Sequence, residues 1–304
     1  MPILTGKQTA KFRTATAPAG LCVTSEGSNV TRTNAVLTVA LLSGAVIGAP
    51  AAEPPKAAPL NIGETFSIDS KRLGEKRRIN VYLPPVCRGP GHTLPGAVHA
   101  RRGRGRGLPH VAGLVQVSVG NGTMRPFVLV GIENTQRRDL TGPTEVAEDK
   151  KIAAKVGGSE AFRAFVRDEL MPDVKARYRT TKEAAIVGES LAGLFVVETF
   201  LLESDLFDTY IAFDPSLWWN SGKLVADAGT KLRTQPKLSK ALYLASSSED
   251  RDDVTQKFAD VLKKDAPAGV RWHHEKMLEE KHATIYHPAA LKAFRAVLKP
   301  DKKR

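Results

Sequence analysis

Short apolar runs alternate with segments of helical period through the body of this chain, and each kind predicts its own element. Phe127-Val128-Leu129-Val130-Gly131-Ile132, Ala184-Ala185-Ile186-Val187 and Ala241-Leu242-Tyr243-Leu244-Ala245 are unbroken apolar runs of strand length, the pattern of strands buried on both faces. Val270-Arg271-Trp272-His273-His274 alternates and reads as a further strand. Ser159 is placed to cap a helix that carries Phe162, Phe165, Val166, Leu170 and Val174 on one side, with Arg167 and Asp168 on the other. Residues 194–202 predict a buried helix, and amphipathic helices are predicted over about 253–264 and over 288–298. Strands alternating with helices predict an α/β fold, a mostly parallel central sheet with helices on both faces.

One junction carries chemistry. Gly188-Glu189-Ser190-Leu191-Ala192-Gly193 lies between an apolar strand and a buried helix, the setting of a nucleophile elbow. Small neighbours on a sharp strand-to-helix turn let Ser190 stand clear of the sheet, and the helix N-terminus offers free N–H groups to an oxyanion. The usual last glycine of the motif is Ala192 here, with Gly193 one place later. A serine hydroxyl is a poor nucleophile until a base takes its proton, and the base needs an acid to orient it. With such an elbow the acid and then the base follow the serine along the chain. Glu249 and Asp250, in the loop after the Ala241 strand, are both candidates for the acid, and spacing does not choose between them. His282, in the loop before the last helix, is the candidate base. His273 and His274 lie within a strand and His287 precedes Pro288 at a helix start, so these three read as structural.

Taken together these segments resemble the putative-esterase branch of the α/β-hydrolases, the group of esterase D and the enterochelin-esterase-like trilactone hydrolases. The resemblance spans residues 62–298 and rests on the segment 73–84 (Leu73-Gly74-Glu75 through Val81-Tyr82-Leu83-Pro84), the strand 127–134, the elbow, Asp214-Pro215-Ser216-Leu217-Trp218-Trp219, and Glu280-Lys281-His282. It implies the α/β-hydrolase fold and a serine carboxylic ester hydrolase that works through an acyl-enzyme; with no H-E-x-x-H, P-loop or dinucleotide glycine fingerprint in a suitable setting, no cofactor or metal is expected. By the same resemblance Ser190 is the nucleophile, His282 the base, the Leu191 N–H one oxyanion donor, and Trp218 and Trp219 neighbours of the acyl pocket. The expected partner is a small-molecule ester, with siderophore trilactones, acetylated sugars and feruloyl esters all candidates. Arg137, in a polar loop at the edge where substrates bind, is placed either to meet an acidic substrate or simply to be solvated. Acyltransferases share this fold, so transfer to an alcohol is the alternative reaction.

Residues 95–109 depart from the family pattern. There the family has an apolar strand ending in a loop of the Asp-Gly-Gly kind, which supplies a second oxyanion N–H. This chain reads Pro95-Gly96-Ala97-Val98-His99-Ala100 and then an Arg/Gly run from Arg101 to Gly107. Buried unpaired guanidinium groups are very costly, so this stretch is not expected to supply a central strand, and a catalytically impaired or binding-only member is a further alternative. Suitable codons read one base later would give an apolar strand followed by Asp-Gly-Gly, and two compensating indels would account for the run. Arg-Gly repeats also bind RNA. This run is short, lacks interleaved aromatics and sits inside a folded domain, so no nucleic-acid partner is expected, although the net charge is +13.

At 304 residues and 42% hydrophobic content the chain has material for one large core. The expected organisation is a leader and signal peptide over 1–52, a Pro/Ala-rich linker over 53–60, a catalytic domain over 61–300 and a basic tail over 301–304. The run 35–49 is too short and too rich in small residues for a membrane span, and Ala49-Pro50-Ala51 fits an A-x-A cleavage site. The polar stretch ahead of it is long for a signal peptide, and a start at Val30 would leave a short basic n-region. Secretion or periplasmic export is therefore expected, with no membrane span after processing. Of the two cysteines only Cys87 would remain, which excludes a disulfide framework. N-terminal sequencing of the exported protein is expected to read from Ala52 or Glu53; a sequence that retains residues 35–49 would refute cleavage.

Overall fold

The computed structural model describes residues 57–85, 94–100, 107–133 and 135–300. The predicted leader and signal peptide, the basic tail, Cys87 and the arginines of the Arg/Gly run lie outside the described residues. The strands are β1 (Glu64–Ser70), β2 (Glu75–Tyr82), β3 (Leu94–Ala100), β4 (Val128–Ile132), β5 (Thr180–Glu189), β6 (Thr209–Phe213), β7 (Ala241–Ser247) and β8 (Arg271–Met277). They form one sheet in the order β1-β2-β4-β3-β5-β6-β7-β8. β1 and β2 pair antiparallel, as do β2 and β4, and every pairing from β4 through β8 is parallel. The helices are α1 (Gly107–Gly120), α2 (Ala147–Lys150), α3 (Ser159–Phe165), α4 (Met171–Arg177), α5 (Leu191–Leu202), α6 (Lys223–Arg233), α7 (Val254–Asp265) and α8 (Tyr286–Val297).

Strand alternation divides the interior into two cores. Ile186, Tyr210, Ala212, Leu242 and Leu244 pack with α3 to α7. Their neighbours Val187, Ile211, Phe213, Tyr243 and Ala245 pack with α1 and α8 on the opposite face. This is why the central strands read as unbroken apolar runs: successive side chains point to opposite faces, and both faces are covered. The mostly parallel sheet with helices on both sides is the α/β architecture expected from the pattern.

Two local expectations need correction. The stretch 95–109 does supply a central strand: β3 pairs with β4 on one side and β5 on the other. The strand is built from Leu94-Pro95-Gly96-Ala97-Val98-His99-Ala100, so the arginines begin only beyond its end, and Pro95 falls at the register shift between Leu94 and Gly96, where a missing donor is tolerated. Ser159 is not the cap of its helix. Gly158 holds that position and Ser159 is the first helical residue. The apolar stripe of Phe162, Phe165, Val166, Leu170 and Val174 is buried as expected, but the helix is broken by a π turn over Val166–Leu170 before it resumes as α4.

A charged cluster fixes the loop after β4. Arg77, on β2 and fully buried, donates to Asp139, also fully buried, over 2.7 Å, and to Glu75. Asp139 also accepts from the Arg138 guanidinium and from the Gln136 N–H. The one-turn helix Arg138–Leu140 is thereby tied to the sheet, which matters because Arg137 and Leu140 border the site described next. Removing one partner of a buried ion pair strands the other charge. Arg77→Ala is expected to cost about 3–5 kcal/mol in urea unfolding, and pairing Arg77→Met with Asp139→Leu to recover most of that loss.

Candidate active site

β5 ends at Glu189 in the middle of the sheet and α5 begins at Leu191, so Ser190 occupies the turn between them. Its backbone has φ 60° and ψ −123°, a conformation that costs an L-residue about 1–3 kcal/mol and persists only where the surroundings impose it. They do so through three backbone hydrogen bonds. The Ser190 N–H donates to the Phe213 carbonyl at 3.0 Å, and the Ser190 carbonyl accepts from Leu194 at 2.9 Å and from Ser216 at 3.0 Å. Close packing needs small residues: a Cβ on Gly188 would lie 2.5 Å from the Ala192 backbone, and one on Gly193 would lie 3.0 Å from Cα of Pro215. The bare backbone at Gly188 leaves room for the Ala192 methyl, and the close approach of another chain segment falls at Gly193. The displaced glycine of the motif thus has a steric reason.

Three loops converge beside this serine. His282 follows β8, and its Nδ1–H donates to Oδ2 of Asp214 over 3.1 Å. Asp214 is the first residue after β6 and is 5% exposed. Its carboxylate also accepts from the Ser247 N–H and the Ser247 hydroxyl, both at 2.6 Å, from the end of β7. Burial pushes the Asp214 carboxyl upward, but the hydrogen bonds from His282 and Ser247 outweigh it and hold the group below its ordinary range. The same hydrogen bond raises the His282 imidazole above its usual value, burial opposes it, and the nearby carboxylates of Asp214, Glu189 and Glu249 add to the rise.

Glu249 and Asp250, the two acids expected from the sequence, stand in the adjoining loop in other roles. Glu249 accepts the backbone N–H of His282 at 3.0 Å. Asp250 accepts from the N–H and hydroxyl of Thr255 near the start of α7, and burial raises its carboxyl. Sequence reasoning passed over Asp214 as the partner of the imidazole. The available signal was an acid directly after a short apolar strand, followed by proline. His273 and His274 lie on β8, where His274 meets Ser246 and burial lowers it to about 4. His287, in the first turn of α8, contacts His110 of α1.

A cavity of about 450 Å³ is bordered by Ser190, Leu191, Glu189, Ser216, Trp218 and Arg137. A second, of about 240 Å³, adjoins Ser190, Asp214, Ser216, Glu249, Arg251 and His282. Trp218 lines both, as well as a third of about 510 Å³, and the Arg251 guanidinium lies 5.2 Å from its ring centre. Trp219 is buried outside these cavities and donates its indole N–H to the Gly142 carbonyl. Arg137 borders the first cavity and donates to the Ile152 carbonyl. Leu191 is the first residue of α5, so its N–H has no acceptor within the helix. The loop expected to give the second oxyanion N–H, 101–104, lies outside the described residues.

A serine on a strained elbow, with an imidazole and a buried carboxylate at the same cavity, is hydrolase geometry. A model of the family described as "Putative esterase" matches residues 70–301. The chain belongs to this family. The esterase is similar to ferri-bacillibactin esterase BesA of Bacillus subtilis, with 29% identity over 201 residues that cover 62% of this chain and 68% of that protein. It is also similar to the siderophore triacetylfusarinine C esterase of Aspergillus fumigatus, with 33% identity over 99 residues, 32% of either chain. Among solved structures, the IroE-like serine hydrolase of Shewanella oneidensis superposes with a TM-score of 0.69 at 25% identity, covering 78% of this chain and 80% of that one. The fold is that of the α/β-hydrolases, and the protein is a carboxylic ester hydrolase.

A base works only when neutral, so with His282 in the role expected from the sequence its raised imidazole is expected to set the acid limb of kcat/KM above the ordinary histidine value of about 6.5, with activity lost as pH falls through it. Asp214→Asn removes the main cause of the rise. A pH profile of the residual activity is expected to show the limb displaced downward; an unchanged limb would refute the coupling.

Proposed function

We propose that this esterase is a serine hydrolase of siderophore-type esters, with Ser190 as nucleophile, His282 as general base and Asp214 as the acid that orients it. The observation that carries the reading is the hydrogen bond from His282 to buried Asp214 at the cavity that Ser190 borders. Ser190 Oγ attacks the ester carbonyl while Nε2 of His282 takes its proton, and the Leu191 N–H receives the developing oxyanion. Collapse of the tetrahedral intermediate breaks the ester C–O bond, and His282 returns the proton to the departing alcohol. Water, activated by the same imidazole, then attacks the acyl-serine and releases the acid. Every step needs Nε2 directed at the serine, and Asp214 on Nδ1 fixes that tautomer.

Support for the substrate class comes from the names of the relatives and from the space at the site. Adjoining cavities that share Trp218 can take an ester whose acyl and alcohol portions are both bulky. Export is part of the reading, supported by the apolar run and the A-x-A site of the N-terminal region. Among the described residues no helix is long and apolar enough to cross a membrane.

The test is turnover of p-nitrophenyl butyrate and of a trilactone siderophore, followed by absorbance and chromatography. Ser190→Ala is expected to lower kcat by about 10⁴-fold or more, and Asp214→Asn by about 10³- to 10⁴-fold. Glu249→Gln and Asp250→Asn are expected to stay within about tenfold of the parent. Full activity in Ser190→Ala would overturn the mechanism, and loss in Glu249→Gln equal to that in Asp214→Asn would reassign the acid.

A further inference from the structure

The segment Phe213-Asp214-Pro215-Ser216 touches the nucleophile at more points than orientation of the imidazole requires. Phe213 takes the Ser190 N–H, Asp214 takes His282, Pro215 packs on Gly193, and the Ser216 N–H holds the Ser190 carbonyl. The Ser216 hydroxyl remains. Ser216 is 4% exposed, and its Oγ lies 3.4 Å from Oγ of Ser190, its one side-chain hydrogen-bond partner among the described residues. It borders both cavities that meet at the nucleophile. A buried hydroxyl needs a partner, and the one offered to this hydroxyl among the described residues is Oγ of Ser190.

We infer that the Ser216 hydroxyl is a catalytic hydrogen-bond donor to Oγ of Ser190, an inference that rests on the serine mechanism proposed above. Charge on Oγ differs between the resting and reacting states. In the resting state Oγ of Ser190 is a neutral hydroxyl and a modest acceptor. As His282 takes its proton, negative charge builds on Oγ before the bond to the carbonyl carbon is complete. Charge builds there again in deacylation, when Oγ departs from the second tetrahedral intermediate before reprotonation by His282. A donor whose backbone is locked to the elbow strengthens at both of those moments and at neither ground state, which is the condition for lowering a barrier rather than tightening substrate binding. No proton leaves Ser216 at any point. The position is set by backbone bonds on both sides, so alignment costs no reorganisation during the reaction.

The test is the series Ser216→Thr, Ser216→Cys and Ser216→Ala, read by stopped-flow burst kinetics with p-nitrophenyl esters together with thermal unfolding. The burst reports acylation and the following steady state reports deacylation. Ser216→Ala is expected to slow both by about 10- to 100-fold with KM within about threefold of the parent, the range of a hydrogen bond to a charged group. Ser216→Thr keeps the donor and is expected to retain most of the rate, and Ser216→Cys, a weak donor, to fall between. A purely structural role would move the unfolding temperature and KM without ordering the rates by donor strength, and that result, or equal rates across the series, would overturn the inference. Ser190→Ala in the same assay separates the two readings: turnover that survives it sinks the serine mechanism, whereas loss in Ser190→Ala with parental rates in Ser216→Ala sinks only the role of Ser216.

Discussion

A carboxylate taken out of water is unstable unless hydrogen bonds replace its hydration, and the arrangement at Asp214 follows from meeting that demand. Its replacements come from two other parts of the chain: the N–H and hydroxyl of Ser247 after β7, and the imidazole of His282 after β8. A single buried group thereby closes three strand ends around one point. Satisfying the charge and assembling the site are one event, because each donor that stabilises Asp214 also fixes a loop of the active site. The same bonds account for the electrostatics, with the carboxylate held ionised in spite of burial and the imidazole made more basic than in water.

The strain at Ser190 is sustained by comparable means. An L-residue at φ 60° returns to a relaxed conformation unless it is overdetermined, and here the backbone of the β6 segment takes its N–H from one side and its carbonyl from the other. Gly193 is needed because that embrace is closer than a side chain permits, and Gly188 because Ala192 of α5 lies against it. Ser190 and the carboxylate that meets His282 therefore depend on one stretch of chain, Phe213 to Ser216, with Trp218 just beyond it at the junction of the cavities.

What the sequence discloses and what it conceals divide along physical lines. The elbow is legible because the pattern changes abruptly there, from an apolar strand through small residues to an apolar helix, and few other local structures need that combination. The parallel sheet is legible for the same reason, since burial on both faces leaves no polar alternation. His282 is legible because it stands in a loop after the last strand. Asp214 is not, because an acid before a proline is also what an ordinary turn requires; only its burial separates the two, and burial belongs to the tertiary structure. Glu249 and Asp250 attract attention because they sit in the expected loop, yet the residue of that region which reaches the buried carboxylate is Ser247, at the end of the strand itself. The strand Leu94–Ala100 is hidden by its neighbours: a window that includes the arginines averages away a seven-residue run that pairs on both sides.

In the register of the sheet, Glu189 pairs with Phe213 and Phe213 with Ala245, so the ends of β5 and β6 lie in a single row and β7 runs two residues beyond it. Ser190 and Asp214 are each one step past that row. Their separation is therefore gauged by the interstrand repeat of about 4.8 Å, a length set by peptide hydrogen bonding. Lining side chains such as Trp218, Arg137 and Arg251 can diverge without touching that gauge. Chemistry and selectivity here have different rulers: the first is graduated in backbone, the second in side chains, and only the second is open to revision.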